Sequence, residues 1–205
     1  MPTPTRPYRG VSASDRKAQR REQLLDAGLE LLGTQGCART TMTAVCATAK
    51  LTERYFYESF RNRDELLVAV MDRIADQLSD IVLDALGRAT GDPAERGRAA
   101  IAAFMEVIEG DPRIGRAVLI ESASTEVLRQ RRHQLLRTFA RLVVTQASEL
   151  YGEDALPSPR DEINALLFIG GLAELMVAWL NGEIDATGED IVDAAAHQFA
   201  TSMHQ

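Results

Sequence analysis

Cysteine occurs only twice in the 205 residues, at Cys37 and Cys46, so no disulfide framework can staple this fold. Aromatic residues make up 5% of the chain and β-branched residues are sparse, which argues against a sandwich or barrel, whose strands draw on both. Proline is absent between residues 15 and 86, leaving room for several uninterrupted helices. No apolar segment follows the Pro- and Arg-containing N-terminus, so no signal peptide is expected and the protein is placed in the cytoplasm. The one long apolar run, 163–180, is broken by Asn164 and Glu174. A central Glu opposes insertion by about 2 to 3 kcal/mol, so this run is expected to be a buried helix with no membrane role.

Ala, Leu, Glu and Arg dominate, with 45% apolar and 26% charged residues, as in one compact helical domain or two small ones. The net charge of −7 is unevenly spread: residues 1–67 hold 11 basic and 8 acidic side chains (net +3), and residues 68–205 hold 12 and 22 (net −10). A positive head on an acidic body suits a protein whose one end meets a polyanion.

Asp92-Pro93, Asp111-Pro112 and Ser158-Pro159 each place a capping side chain before a proline, the usual opening of a helix, and Glu95 and Asp161 complete two capping boxes. Leu67, Val70, Met71, Ile74, Leu78, Ile81 and Ala85 recur at spacings of three and four, predicting one amphipathic helix from Asn62 to about Gly87, roughly 35 Å long. Further stripes run from Ile101 to Ile108, along Leu128, Leu135, Phe139, Leu142, Gln146 and Leu150, and through Val192, Ala196, Phe199 and Met203. The expected fold is all-α, with about nine helices: a three-helix head and a larger helical body.

The helix from Pro159 to about Asn181 has two apolar faces, Ile163, Leu166, Leu167, Gly170 and Val177 on one and Phe168, Leu172, Leu175, Met176 and Trp179 on the other. One face is expected in the core and the other against a second copy of the chain, joined there by the helix from Thr187 to Met203. Gly170, Leu172, Val177 and Phe199 are the candidate dimer residues, with the choice of face left open.

Residues 41–60 read as a helix-turn-helix: Thr41 caps a helix through Ala49, a break falls at Lys50-Leu51, and Thr52 caps a second helix through Phe60. Val45, Ala49, Leu51, Phe56 and Phe60 are set to bury against a first helix from Asp15 to about Gly33. Glu53, Arg54, Tyr55 and Tyr57 are then left near the N-terminal end of the second helix, where a recognition helix meets base edges and phosphates.

The stretch TMTAVCATAKLTERYFYESFRNRDELL, Thr41 to Leu67, resembles the DNA-binding domain of the TetR family of transcriptional regulators. The resemblance implies phosphate contacts from Thr41, Thr52, Tyr57 and Arg63, and base-edge or groove contacts from Glu53, Arg54 and Tyr55. Phosphate contacts fix register, and base contacts choose sequence. Lys50 stands where such turns usually carry Gly, at a cost on the order of 1 kcal/mol if φ is positive there; it and Arg54, also at a usual Gly, each add a cation. The implied division is a basic arm at 1–14, a DNA-binding domain at 15–61, and a ligand-binding and dimerisation domain at 62–205, tied together by the helix 62–87. The implied partners are double-stranded operator DNA, a second copy of the chain and a small, mostly apolar effector. Candidate effector contacts are Phe104, Ile108, Leu119, Phe139 and Phe168, with Glu121 and Asn164 as polar guides.

Other chemistries lack their constellations. Ser14-Asp15-Arg16-Lys17 has the S-x-x-K spacing without companion motifs, and none of His133, His197 and His204 follows a Glu at i−3, so neither a catalytic residue, a metal site nor a cofactor is expected. Arg129, Arg131, Arg132, Arg137 and Arg141 read as a solvated helix face. The rival class, a small helical enzyme or ligand-binding protein without DNA affinity, is disfavoured because no catalytic constellation is present, and a DNA shift assay at several salt concentrations separates the two.

Overall fold

The computed structural model describes residues 13–204, which excludes most of the N-terminal arm. Among the described residues the fold is helical, with nine α-helices and no strand. The head consists of α1 (Ala13–Gln35), α2 (Met42–Ala49) and α3 (Glu53–Tyr57). Leu24, Leu25, Leu31 and Leu32 of α1 close its core with Val45, Phe56 and Phe60; Ala49 and Leu51 are half-buried at its rim. Helix α3 ends at Tyr57, short of the expected Phe60, although the Phe60 amide still donates to the Phe56 carbonyl at 2.8 Å.

Helix α4 (Arg63–Arg88) begins where the Asn62 side chain accepts from the Glu65 amide. Its Leu66, Leu67 and Val70 belong to the head core, and its later turns run into the body. The body adds α5 (Pro93–Gly110), α6 (Pro112–Gly115), α7 (Glu126–Tyr151), α8 (Arg160–Leu180) and α9 (Gly188–Ser202). Asp92 and Glu95 form the expected capping box on α5, and Asp111 caps α6. The box expected from Ser158 does not form. Pro159 occupies the N-cap position itself, α8 starts at Arg160, and a proline there has no side-chain acceptor to offer. Between α6 and α7 the backbone loosens into a π-helical turn, Arg116–Ile120, and a 3-10 turn, Glu121–Ala123.

Helix α8 settles which of its faces is inward. Phe168, Ala173 and Met176 are buried, whereas Ile163, Leu166 and Leu167 are 55%, 49% and 68% exposed, and space beside Gly170 and Gly171 is open. With a mean hydropathy of 1.9 it is long and apolar enough to cross a membrane by length and composition. Helix α9 packs chiefly on α5, where Phe199 lies over Gly97 and Arg98 pairs with Asp193 and Glu189.

Candidate nucleic-acid interface and effector cavity

Helix α2 ends in a Schellman motif: the Lys50 amide donates to Ala47 and the Leu51 amide to Cys46, at 3.1 and 2.9 Å. This closure needs a left-handed residue at position 50, and Lys50 adopts it with φ 54° and ψ 38°. It is the one non-glycine residue with positive φ among those described. The motif aims the chain straight into α3 and leaves Lys50 exposed.

The Thr41 hydroxyl accepts from the Ala44 amide at 3.2 Å, fixing the start of α2. Thr52 holds the N-cap position of α3 with extended backbone, but its side chain makes no capping bond, contrary to the sequence expectation. Thr52, Glu53 and Arg54 are exposed, as is Tyr57 at 58%. Arg54 reaches forward to Glu58 at 3.4 Å, a pair one helical turn apart, yet its side chain remains 84% exposed. Tyr55 is held from behind: the Arg20 guanidinium stacks 4.4 Å from its ring centre and also pairs with Glu58. Arg63 is half-buried beside Asp64, 3.3 Å away. Burial pushes the Cys37 and Cys46 thiols above their ordinary values, which keeps both in the unreactive protonated form near neutrality.

In the body, α4, α5, α7 and α8, with Val118 and Leu119 of the π-helical turn and Phe199 of α9, line a partly open cavity of about 190 Å³. Phe104, Leu119, Phe139 and Phe168 line it, together with Met71, Leu78 and Leu86 of α4. Three expected contacts stand elsewhere. Ile108 lies outside the lining, 1% exposed in the core beside Gly115. Asn164 donates to the Ser202 carbonyl at 2.6 Å, tying α8 to α9. Glu121 faces the head, where its carboxylate accepts from the Cys37 amide at 2.8 Å and from Ser124 at 3.1 Å. Two expected dimer residues, Leu172 and Phe199, point into the cavity because they follow the inward stripe of their helices.

Arg132 and Gln146 also line the cavity, so Arg132 does not stand on the solvated face expected from its sequence. The signal was present in the spacing: position 132 falls four residues after Leu128 and three before Leu135, in the gap of the apolar stripe.

A second seam joins head and body. Arg113 of α6 bonds Glu30 of α1 and Asp111, and a Cβ on Gly33 would sit 2.7 Å from the Arg113 Cα. Only glycine permits α1 and α6 to approach so closely. The hydrogen bond from Arg113 holds the Asp111 carboxyl below the usual carboxylate range, against a smaller upward push from burial. The π-helical turn spans both sites, with Val118 and Leu119 on the cavity and Glu121 following at Cys37.

Residues 24–70 match the family described as Bacterial regulatory proteins, tetR family. The chain is 34% identical over 108 residues to the HTH-type transcriptional activator FasR of Mycolicibacterium smegmatis, covering 53% of this chain and 49% of that one. It is 32% identical over 82 residues to the HTH-type transcriptional regulator BetI of Rhizobium meliloti, covering 40% of each. The matched segments thus span about half, or less, of the curated relatives' length. Among solved structures, the fatty acid degradation regulator FadR of Bacillus halodurans aligns at TM-score 0.76 over 91% of this chain and 97% of its own, at 14% identity. FadR of Bacillus subtilis in complex with stearoyl-CoA aligns at 0.74 over 89% and 99%, at 16% identity. AibR in complex with isovaleryl coenzyme A and operator DNA aligns at 0.63 over 86% and 96%, at 20% identity. At these identities the likeness shows a shared fold.

Proposed function

We propose that this chain, whose residues 24–70 match the tetR family of bacterial regulatory proteins, is a transcriptional regulator and not an enzyme, and more finely a cytoplasmic repressor. It binds a pseudo-palindromic operator as a homodimer and leaves it when a small, mostly apolar effector fills the body. Residues 15–61 carry DNA binding and residues 62–205 carry dimerisation and effector binding.

The observation that carries this reading is the path of α4. One continuous helix of 26 residues follows the helix-turn-helix directly, packs Leu66 and Leu67 in the head, and lines the cavity from Met71 to Leu86. An effector that wedges α4 therefore re-aims both heads of a dimer and alters their fit to successive major grooves about 34 to 36 Å apart. Reciprocity requires operator and effector to weaken each other by the same factor, about 5- to 150-fold for a coupling of 1 to 3 kcal/mol. The acyl-CoA compounds named with two of the structural neighbours support an acyl chain as the occupant of such a cavity. The exposed stripe of Ile163, Leu166 and Leu167, beside half-buried Gly170, supports a partner's α8 as the cover of that face.

Exposed Thr41, Lys50, Thr52, Glu53, Arg54 and Tyr57, with Tyr55 and Arg63, form the DNA surface. A shift assay at several salt concentrations tests it. Tyr57→Phe and Arg63→Ala should weaken operator and random DNA alike, while Glu53→Ala and Arg54→Ala should change the preferred base at one position of each half-site. Equal effects of all four on operator and random DNA would sink these roles.

A further inference from the structure

We propose, resting on the cavity reading above, that the effector is a long-chain carboxylic acid whose carboxylate is paired by Arg132 at the head-proximal end of the cavity.

The cavity is long and apolar. Its α4 wall alone, Met71 to Leu86, extends about 22 Å at 1.5 Å per residue, and among its lining residues only Arg132 and Gln146 carry polar side-chain groups. The Arg132 Nε is enclosed with no hydrogen-bond partner among the described residues. Its neighbours are not in that position: Arg129 pairs with Glu126, and Arg131 with Asp72. Arg96 of α5, whose Nε is also enclosed, donates instead through a terminal nitrogen to the Leu86 carbonyl. A guanidinium cannot shed its charge, so leaving the enclosed Nε–H of half-buried Arg132 without an acceptor is unfavourable until the site rearranges around an anion. A carboxylate meets the planar fork with two parallel bonds.

The position of Arg132 orients the ligand. It lies on the second turn of α7, next to Arg131, whose partner Asp72 adjoins Met71 on α4. Leu86 and Leu150 line the cavity near the C-terminal ends of α4 and α7, so the chain of the acid extends away from the head. One guanidinium suits one carboxylate, whereas a nucleotide thioester carries several phosphates that this lining has no further cation to meet. The acid group then sits beside the Asp72–Arg131 pair that ties α4 to α7, so its arrival bears directly on the helix that carries the head.

Calorimetric titration of the full chain with palmitate, hexadecanol and palmitoyl-CoA tests this. The wild type should bind palmitate roughly 10- to 100-fold more tightly than hexadecanol, the span of a charged hydrogen bond in a dry site. Arg132→Met should remove that advantage and leave hexadecanol affinity within about twofold, and Arg132→Lys should restore part of it. If Arg132→Met fails to fold in a thermal melt, the palmitate-to-hexadecanol ratio on the wild type and on Arg132→Lys decides. Equal affinity of wild type for acid and alcohol overturns the proposal, as does palmitate binding that ignores the loss of Arg132. Tighter binding of palmitoyl-CoA than of palmitate overturns the carboxylate in favour of a nucleotide head. If none of the three binds, the cavity reading itself fails along with it.

Discussion

Replacing Lys50 by glycine separates the conformational task of this residue from its charge. At φ 54° a residue with a Cβ is strained by about 1 to 2 kcal/mol. Glycine removes that strain but loses about 0.5 to 1 kcal/mol more backbone entropy on folding, leaving a net gain of about 0.5 to 1 kcal/mol. For a chain of 205 residues this corresponds to a rise in Tm of about 1 to 4 °C. Lys50→Ala keeps the Cβ and so the strain, and its stability should stay within about 0.5 kcal/mol of wild type. Both substitutions remove the same exposed cation. If the Lys50 ammonium meets a phosphate, each should therefore lower the salt dependence of operator binding by a slope of about 1 per protomer. Denaturant unfolding and salt-resolved shift assays on the two variants give both readings. A Lys50→Gly protein no more stable than Lys50→Ala would refute the argument that the Schellman closure strains this position.

The dimer reading predicts that Leu167→Arg, whose side chain is 68% exposed in one protomer, folds normally but sediments as a monomer and loses operator affinity. Leu172→Arg should instead disturb folding and effector binding, because Leu172 lines the cavity; a Leu167→Arg protein that stays dimeric at micromolar concentration refutes the assignment of that face. The Asp111 carboxyl titrates below its ordinary value in the folded state, so the stability it contributes is complete above about pH 4 and is lost as pH falls through the depressed folded value. Asp111→Asn should accordingly flatten the acid limb of the stability curve measured by denaturant unfolding between pH 2 and 6, and parallel curves for the two proteins would contradict the Arg113 bond as its cause.

Helix positions, most caps and the class of the head were legible in the sequence because they depend on neighbours a few residues apart. Asp92 with Glu95, Asn62 before α4 and Thr41 before α2 act within one turn, and the stripe from Leu67 to Ala85 records the face that α4 buries. The Gly-substituting Lys50 was likewise readable, since the closing bonds to Ala47 and Cys46 are local. What only the tertiary structure decided was direction. Two apolar faces on α8 are equivalent in sequence, and it took the packing of α8 on α7 and α9, with Phe168 and Met176 buried, to leave Ile163, Leu166 and Leu167 outward. Glu121 and Asn164 looked like ligand guides because each is a polar group near apolar residues, but their acceptor and donor duties go to Cys37 and Ser202, 84 and 38 residues distant. Arg132 looked solvated because arginine usually is. A side chain's periodicity tells which stripe it belongs to, whereas whether that stripe meets water, a core or an empty cavity depends on helices that arrive from elsewhere in the chain.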